Sequence, residues 1–272
     1  MNASHVTVRE LAAWGIDDNP YRPTSDAVTT ALDHAGTFLA TLAPFKQEDP
    51  RASHIPDEVA SALATQSRRA DLIEEMNGLD WTTGIVDLTR LVSFQRRIIP
   101  GEESLPIADD WSSLVAIAFG PVASIAYDVI ERKGPVLTIQ TENPNLQFRA
   151  GNTIETPLVL HGGSPFLEVA QYHGRWFLRD GYHRAYRLLH AGISHVPAVI
   201  IQAKTLAELG PVQPWFFNEE TLGCVRPPLV TDFINDTLTL TYTRPKLHKR
   251  LRVTMEETVE PATTQHLKEK TT

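Results

Sequence analysis

Cysteine is almost absent from this chain: Cys224 is the only one in 272 residues. An intramolecular disulfide is therefore impossible, and a cysteine metal cluster is excluded. The composition fits a reducing compartment. Long apolar runs are missing too, and stretches such as residues 114–118 are far too short to cross a bilayer. The first ten residues hold no basic segment followed by an apolar run, so no secretory signal is read and the expected location is the cytoplasm. A basic excess is also lacking, because 25 Lys and Arg face 33 Asp and Glu for a formal net charge of −8. Proteins that coat nucleic acid usually carry basic faces or tails, so non-specific DNA binding is disfavoured.

What is present is ordinary for a globular protein, with 42% hydrophobic and 21% charged residues. The length allows one large domain or two modest ones. Capping residues and apolar spacing predict a helix over 26–42, started by Ser25 or Asp26, and a second over 56–76, opened by Pro56-Asp57-Glu58. Residues 85–88 read as extended, 89–97 as a short helix, and 111–120 as either a strand or a helix. Strands are expected at 136–140, 157–160, 238–243 and 251–254, with helical turns at 205–209 and 227–234. These elements divide the chain into a largely helical part (1–120), an α+β part (121–255) and a polar tail (256–272).

One stretch organises the rest. Residues 175–201 read as strand, tight turn, helix, turn and strand, and residues 166–172 complete a hairpin across His173-Gly174. The helix starts at Gly181 and stops at Gly192. Around it, His183, Arg187 and His190 form one stripe, while Ala185, Leu188 and Leu189 form the opposite face. Asp180 stands at the N-cap position, where its carboxylate is expected to hold the amide of Tyr182 or His183. Cations are unfavourable at a helix N-terminus, so His183 and Arg184 there point to an anion at the turn, most plainly a phosphate. The alternative is that Arg184 and Arg187 pair with acids on neighbouring elements. His183 and His190 are seven residues apart, too far for one helix to chelate a metal well.

The segment from 166 to 201 resembles the ParB/sulfiredoxin-like superfamily. The resemblance rests on Asp180-Gly-Tyr-His-Arg-Ala185, on Ala191-Gly192-Ile193 and on Val196-Pro197-Ala-Val199. It implies an α+β fold: a mixed sheet with helices packed on it, here with an N-terminal helical extension. It also implies nucleotide phosphates at the turn, and Gly181, His183 and Arg184 match the family's phosphate contacts, with Asp180, Tyr182 and Arg187 beside them. The upstream Asn143-Pro144-Asn-Leu-Gln147-Phe-Arg149 is similar to the family's Asn-Pro…Gln…Arg box, and Asn19-Pro20-Tyr21-Arg22-Pro23 is a second, earlier version. Two departures narrow the function. Sulfiredoxins carry their cysteine where this chain has Tyr182, and partition-type ParB proteins have Gly-Glu-Arg-Arg at the turn and a helix-turn-helix domain after it.

The expectation is therefore a nucleotide-binding protein, acting on a small molecule as a phosphotransferase or nucleotide hydrolase. Its cofactor would be a nucleoside di- or triphosphate with magnesium. A general base or metal-holding carboxylate is needed for such chemistry, and the nearest acids are Glu168 and Asp180. Glu168 reads equally as an outward-facing strand residue. A non-catalytic binding or regulatory protein of the same fold is the alternative. A ParB-like DNA-binding protein or nuclease is the third reading, carried by Lys246, Lys249, Arg250 and Arg252. Arg90, Arg96 and Arg97 read as a phosphate-facing patch or as a solvated face. No membrane partner is expected, and the sequence does not give an oligomeric state.

Overall fold

A computed structural model describes residues 4–17, 20–100, 109–121, 124–150, 156, 158–210 and 216–259. In chain order the elements begin with β1 (His5–Leu11), α1 (Asp26–Thr41), α2 (Asp57–Gln66), α3 (Ala70–Glu75) and β2 (Trp81–Asp87). Next come β3 (Val92–Ser93), β4 (Arg97–Ile98), α4 (Trp111–Ala118), β5 (Asp128–Lys133), β6 (Val136–Thr141), β7 (Gln147–Ala150) and β8 (Leu158–His161). The chain continues with β9 (Glu168–Tyr172), β10 (Arg175–Asp180), α5 (Tyr182–His190), β11 (His195–Gln202), α6 (Leu206–Leu209), α7 (Glu219–Gly223), β12 (Thr239–Pro245) and β13 (Lys249–Thr254). The fold is α+β with mixed sheets.

Two compact units share the chain: Met1–Ala123 with Ser164–Lys246, and Ser124–Gly163 with Leu247–Thr272. The boundary read near residue 120 differs from this division. Strands from before residue 120 lie in the same sheet as the hairpin that follows residue 164, because β2 and β3 flank that sheet.

The central sheet of the larger unit runs β2-β11-β9-β10-β3. β11 is antiparallel to β2 and parallel to β9, while β10 is antiparallel to β9 and parallel to β3. From Val196 to Ile201 every residue of β11 is buried. Such a continuous apolar run belongs to a strand covered on both faces. Proline is normally excluded from central strands because it lacks an N–H. Here the Val199 amide reaches the Leu167 carbonyl at 2.9 Å. Pro197, two residues earlier, faces the same edge at a point where β9 has not yet begun. α4 packs on β11 and α2 on β2. A second sheet of this unit, β12-β1-β4, is antiparallel throughout the pairings of β1.

Two helix expectations are corrected. The helix read over 56–76 is two helices, α2 and α3. The break falls at Arg69, which takes an extended conformation and bonds Asp71 and the carbonyls of Phe119 and Gly120. The short helix read at 89–97 is replaced by a 3-10 turn at Leu88–Arg90 and by β3 and β4. Leu91 and Val92 are fully buried there, and side-chain burial in a sheet overrides local propensity. The stretch left open at 111–120 is a helix, capped by Asp110, whose Oδ1 accepts from the Ser113 amide at 2.9 Å. Ser25 caps α1 as expected.

The smaller unit holds an antiparallel sheet, β13-β6-β5, and the β7-β8 pair. Asn143 folds its own turn: Oδ1 accepts from the Asn145 amide at 2.9 Å, and Nδ2 donates to the Gly162 carbonyl at 2.8 Å.

Candidate functional site

The hairpin β9-β10 is built by a two-residue turn in which both residues, His173 (φ 48°) and Gly174 (φ 76°), are left-handed. Such a turn matches the natural twist of paired strands. β10 carries an irregularity between Leu178 and Asp180, after which Asp180 stands opposite Glu168. The chain then reverses at Gly181, at φ 95° and ψ 21°. A Cβ at this position would lie 3.3 Å from the Leu167 Cα and from Arg184 Nη2, so both conformation and space call for glycine. α5 buries Tyr182, Ala185, Leu188 and Leu189, the face read from the sequence. It ends in a Schellman turn: Ile193 donates to the Leu188 carbonyl at 2.9 Å and Gly192 to that of Leu189 at 3.0 Å.

The residues read as phosphate contacts divide into two groups. Tyr182 is only 5% exposed. Its hydroxyl donates to the Leu178 carbonyl at 2.7 Å and accepts from the Phe94 amide at 3.1 Å and the Gln95 amide at 3.4 Å. Burial raises its pKa well above the usual phenol value. The Arg184 guanidinium is spent on main-chain oxygens: Nη2 donates to the Phe166 carbonyl at 2.6 Å, and Nη1 donates to the carbonyls of Pro165 and Ile117. Asp180 does not cap Tyr182 or His183 as expected. Its Oδ1 accepts from the adjacent Gly181 amide at 2.5 Å, and no side chain among the described residues caps α5. These three residues shape the turn.

The second group remains at the surface of α5. His183 keeps an exposed outer edge, and its Nε2 accepts from the Ile99 amide at 3.3 Å. Neighbouring chain desolvates the ring, and that desolvation, followed by the Arg184 charge, lowers its pKa. An Nε2 that accepts a hydrogen bond belongs to a neutral ring. Arg187, in the last turn of α5, is half-buried, and its side chain makes no ion pair or hydrogen bond among the described residues.

Glu168 is corrected most sharply. It is fully buried rather than outward-facing. Its Oε2 is hydrogen-bonded by Arg179 Nη1, and its Oε1 has no partner among the described residues. Arg179 in turn donates from Nε to the Glu208 carbonyl at 3.0 Å. Burial pushes the Glu168 carboxyl up to about 7, with the Arg179 guanidinium opposing and the Asp180 carboxylate reinforcing. Burial also raises Asp180, with Arg184 opposing. Arg179 and Ser164, which flank these acids, were missed in the sequence. The strand pattern alone could have shown that positions 168 and 180 face each other, had the irregularity in β10 been legible.

The remaining candidates lie elsewhere. The Asn143 box sits in the smaller unit and the phosphate turn in the larger; Asn19 of the earlier box lies outside the described residues, as do 101–108 and 260–272. Arg97 pairs with Asp17 at 2.7 Å, Arg96 lies 4.3 Å above the Phe217 ring, and Arg90 bonds Asp87 and Glu48, so these arginines brace the fold. In β13, Lys249 donates to the Pro144 carbonyl and Arg250 to Gln140. An apolar cavity of about 230 Å³ is lined by Phe94, Leu206, Leu209, Phe216, Phe217 and Leu222, among others. Among the described residues, no group of three or more His, Cys, Asp or Glu side chains is placed to hold a metal ion, and no helix is long and apolar enough to cross a membrane. No protein-family profile, curated protein or solved structure matches the chain.

Proposed function

We propose that the protein binds a phosphate-bearing ligand, with a nucleotide as the expected class, at the first turn of α5. The observation that carries this reading is a helix opened by left-handed Gly181 with no side-chain cap among the described residues, which leaves its first-turn amides open to an anion. His183 stands at the surface of that turn, and Arg187 follows four residues later, one helical turn on, with no competing side-chain partner among the described residues. Arg184 and Tyr182 act beneath as braces rather than as ligand contacts.

Binding without chemistry is the reading the geometry favours, because the acids nearest the turn are engaged inward. Phosphoryl transfer or nucleotide hydrolysis is the second reading, favoured by one observation: the Glu168 carboxyl titrates near neutrality, where a general base works best. The test is thermal-shift and calorimetric screening against nucleotides and pyrophosphate, with and without magnesium, on the wild type and Arg187→Ala. Stabilisation of the wild type that weakens in Arg187→Ala is expected. No stabilisation by any of these probes would overturn the site, and product formation in the same mixtures would favour the second reading.

A further inference from the structure

Resting on the phosphate-binding reading, we infer that Glu168 and Asp180 form a carboxyl pair sharing one proton beneath the first turn of α5, and that an anion arriving at that turn is bound together with a proton.

The geometry begins with the register of the hairpin. Glu168 and Asp180 are opposite residues on antiparallel strands, a position where side chains approach within contact range and like charges repel. Glu168 is fully buried, so water cannot screen that repulsion. Two carboxylates forced together in such surroundings ionise in sequence, the first holding back the second.

The groups around the pair come from every neighbouring element. Arg179 of β10 is bonded to Glu168 Oε2. Arg184 of α5 brings a second positive charge but directs its N–H groups to the carbonyls of Ile117, Pro165 and Phe166. Ser164, before β9, presents its hydroxyl toward Glu168 and its amide toward Asp180, and Glu75 of α3 adds a more distant negative charge to Glu168. Two further titratable groups belong to α5: Tyr182, whose phenol feels the Asp180 charge, and His183, next to Arg184. One arginine donates directly to the pair, one acid oxygen is taken by the Gly181 amide, and Glu168 Oε1 receives no hydrogen bond among the described residues. A proton on that oxygen removes the repulsion. The raised pKa values of both acids agree with this arrangement.

Asp180 directly precedes the turn, so an anion on the α5 amides adds negative charge beside the pair. The pair then holds its proton more tightly, and by linkage the anion binds more weakly as that proton is lost. His183 also favours anions when protonated, but its lowered pKa confines that effect to more acidic conditions.

The experiment titrates sulfate and ATP into the full-length protein between about pH 6 and pH 8, in buffers of different ionisation enthalpy. Sulfate stays a dianion across this range, so its own protonation does not enter. Net proton uptake is expected for the wild type, with affinity falling by up to about tenfold per pH unit through the titration of the pair. Glu168→Gln should bind sulfate with neither proton uptake nor this pH dependence, and Asp180→Asn should take up fewer protons than the wild type. Binding by the wild type without proton uptake would overturn the inference while leaving the site intact. Failure of both anions to bind at any pH would overturn the site. The pair is then decided in the ligand-free protein, where a fall in stability from about pH 6 to pH 8 that is as large in both variants as in the wild type would overturn it.

Discussion

The Tyr182 hydroxyl donates to the Leu178 carbonyl at 2.7 Å and, from the same oxygen, accepts the Phe94 amide at 3.1 Å. One phenol thus joins the first turn of α5 to β10 and to the chain leaving β3. Tyr182→Phe keeps the ring and its edge-on contact with Phe94 but leaves a buried carbonyl and an amide without partners. A loss of about 1–3 kcal/mol is expected in urea unfolding; an unchanged midpoint would show that the hydroxyl is dispensable.

Arg184 and Arg187 should separate cleanly in mutagenesis. Arg184→Ala strands the carbonyls of Pro165 and Phe166 and is expected to cost about 2–4 kcal/mol, with Arg184→Lys a poor rescue because a point charge cannot reproduce the fork. Arg187→Ala should change stability by about 0.5 kcal/mol or less while weakening anion binding. Equal destabilisation by the two alanine variants would contradict this assignment of roles.

Gly181→Ala places a methyl 3.3 Å from Leu167 and Arg184 at a left-handed φ. Strain and crowding together predict a loss of about 1–3 kcal/mol. Gly36, in the middle of α1, meets nothing within 4 Å of an added Cβ, so Gly36→Ala should instead be stabilising by about 0.5–1 kcal/mol. Thermal unfolding of the two variants side by side gives the answer.

Stability should be greatest in mild acid. Burial raises the carboxyl pKa values of Glu168, Asp180, Glu10 and Asp232, so the folded protein holds protons that the unfolded chain releases. Their contribution is complete below the ordinary carboxylate range and is lost as pH rises, up to about 7 for Glu168. For Glu168 the loss is at most on the order of 3 kcal/mol. Asp49 and Asp71, lowered by Arg51 and Arg69, act oppositely and lose their contribution in stronger acid. Urea midpoints at about pH 5.5 and pH 8 check the direction, and a higher midpoint at the alkaline end would refute it.

The stretch from β9 through β11 was legible because local signals agree there: alternation in the strands, glycine at both ends of α5, and an apolar run for β11. α1 was legible for the same reason, since Ser25 caps it where expected. β1 carried no comparable signal, because its pairing is with β12 at the far end of the larger unit. The segment after β2 was misread because Leu91 and Val92 are buried by β10, a partner far along the chain. At the site, Gly181 at the start of α5 and the exclusion of His183 and Arg187 from its buried face could be read from spacing. The inward direction of Glu168 and Arg184 could not, since it depends on the irregularity in β10 and on where the carbonyls of Ile117, Pro165 and Phe166 end up.

The strand order also governs how the protein is made. β2 ends at Asp87 but pairs with β11, which is complete only at Gln202, and at cellular rates of synthesis that interval lasts roughly 5 to 20 seconds. Until then, Ile85 and Val86 leave the ribosome with no sheet to enter. β1 waits longer still, for β12. A nascent chain halted before Gln202 therefore leaves β2 without its sheet partner, and Ile85 and Val86 stay open to water or to other unpaired strands.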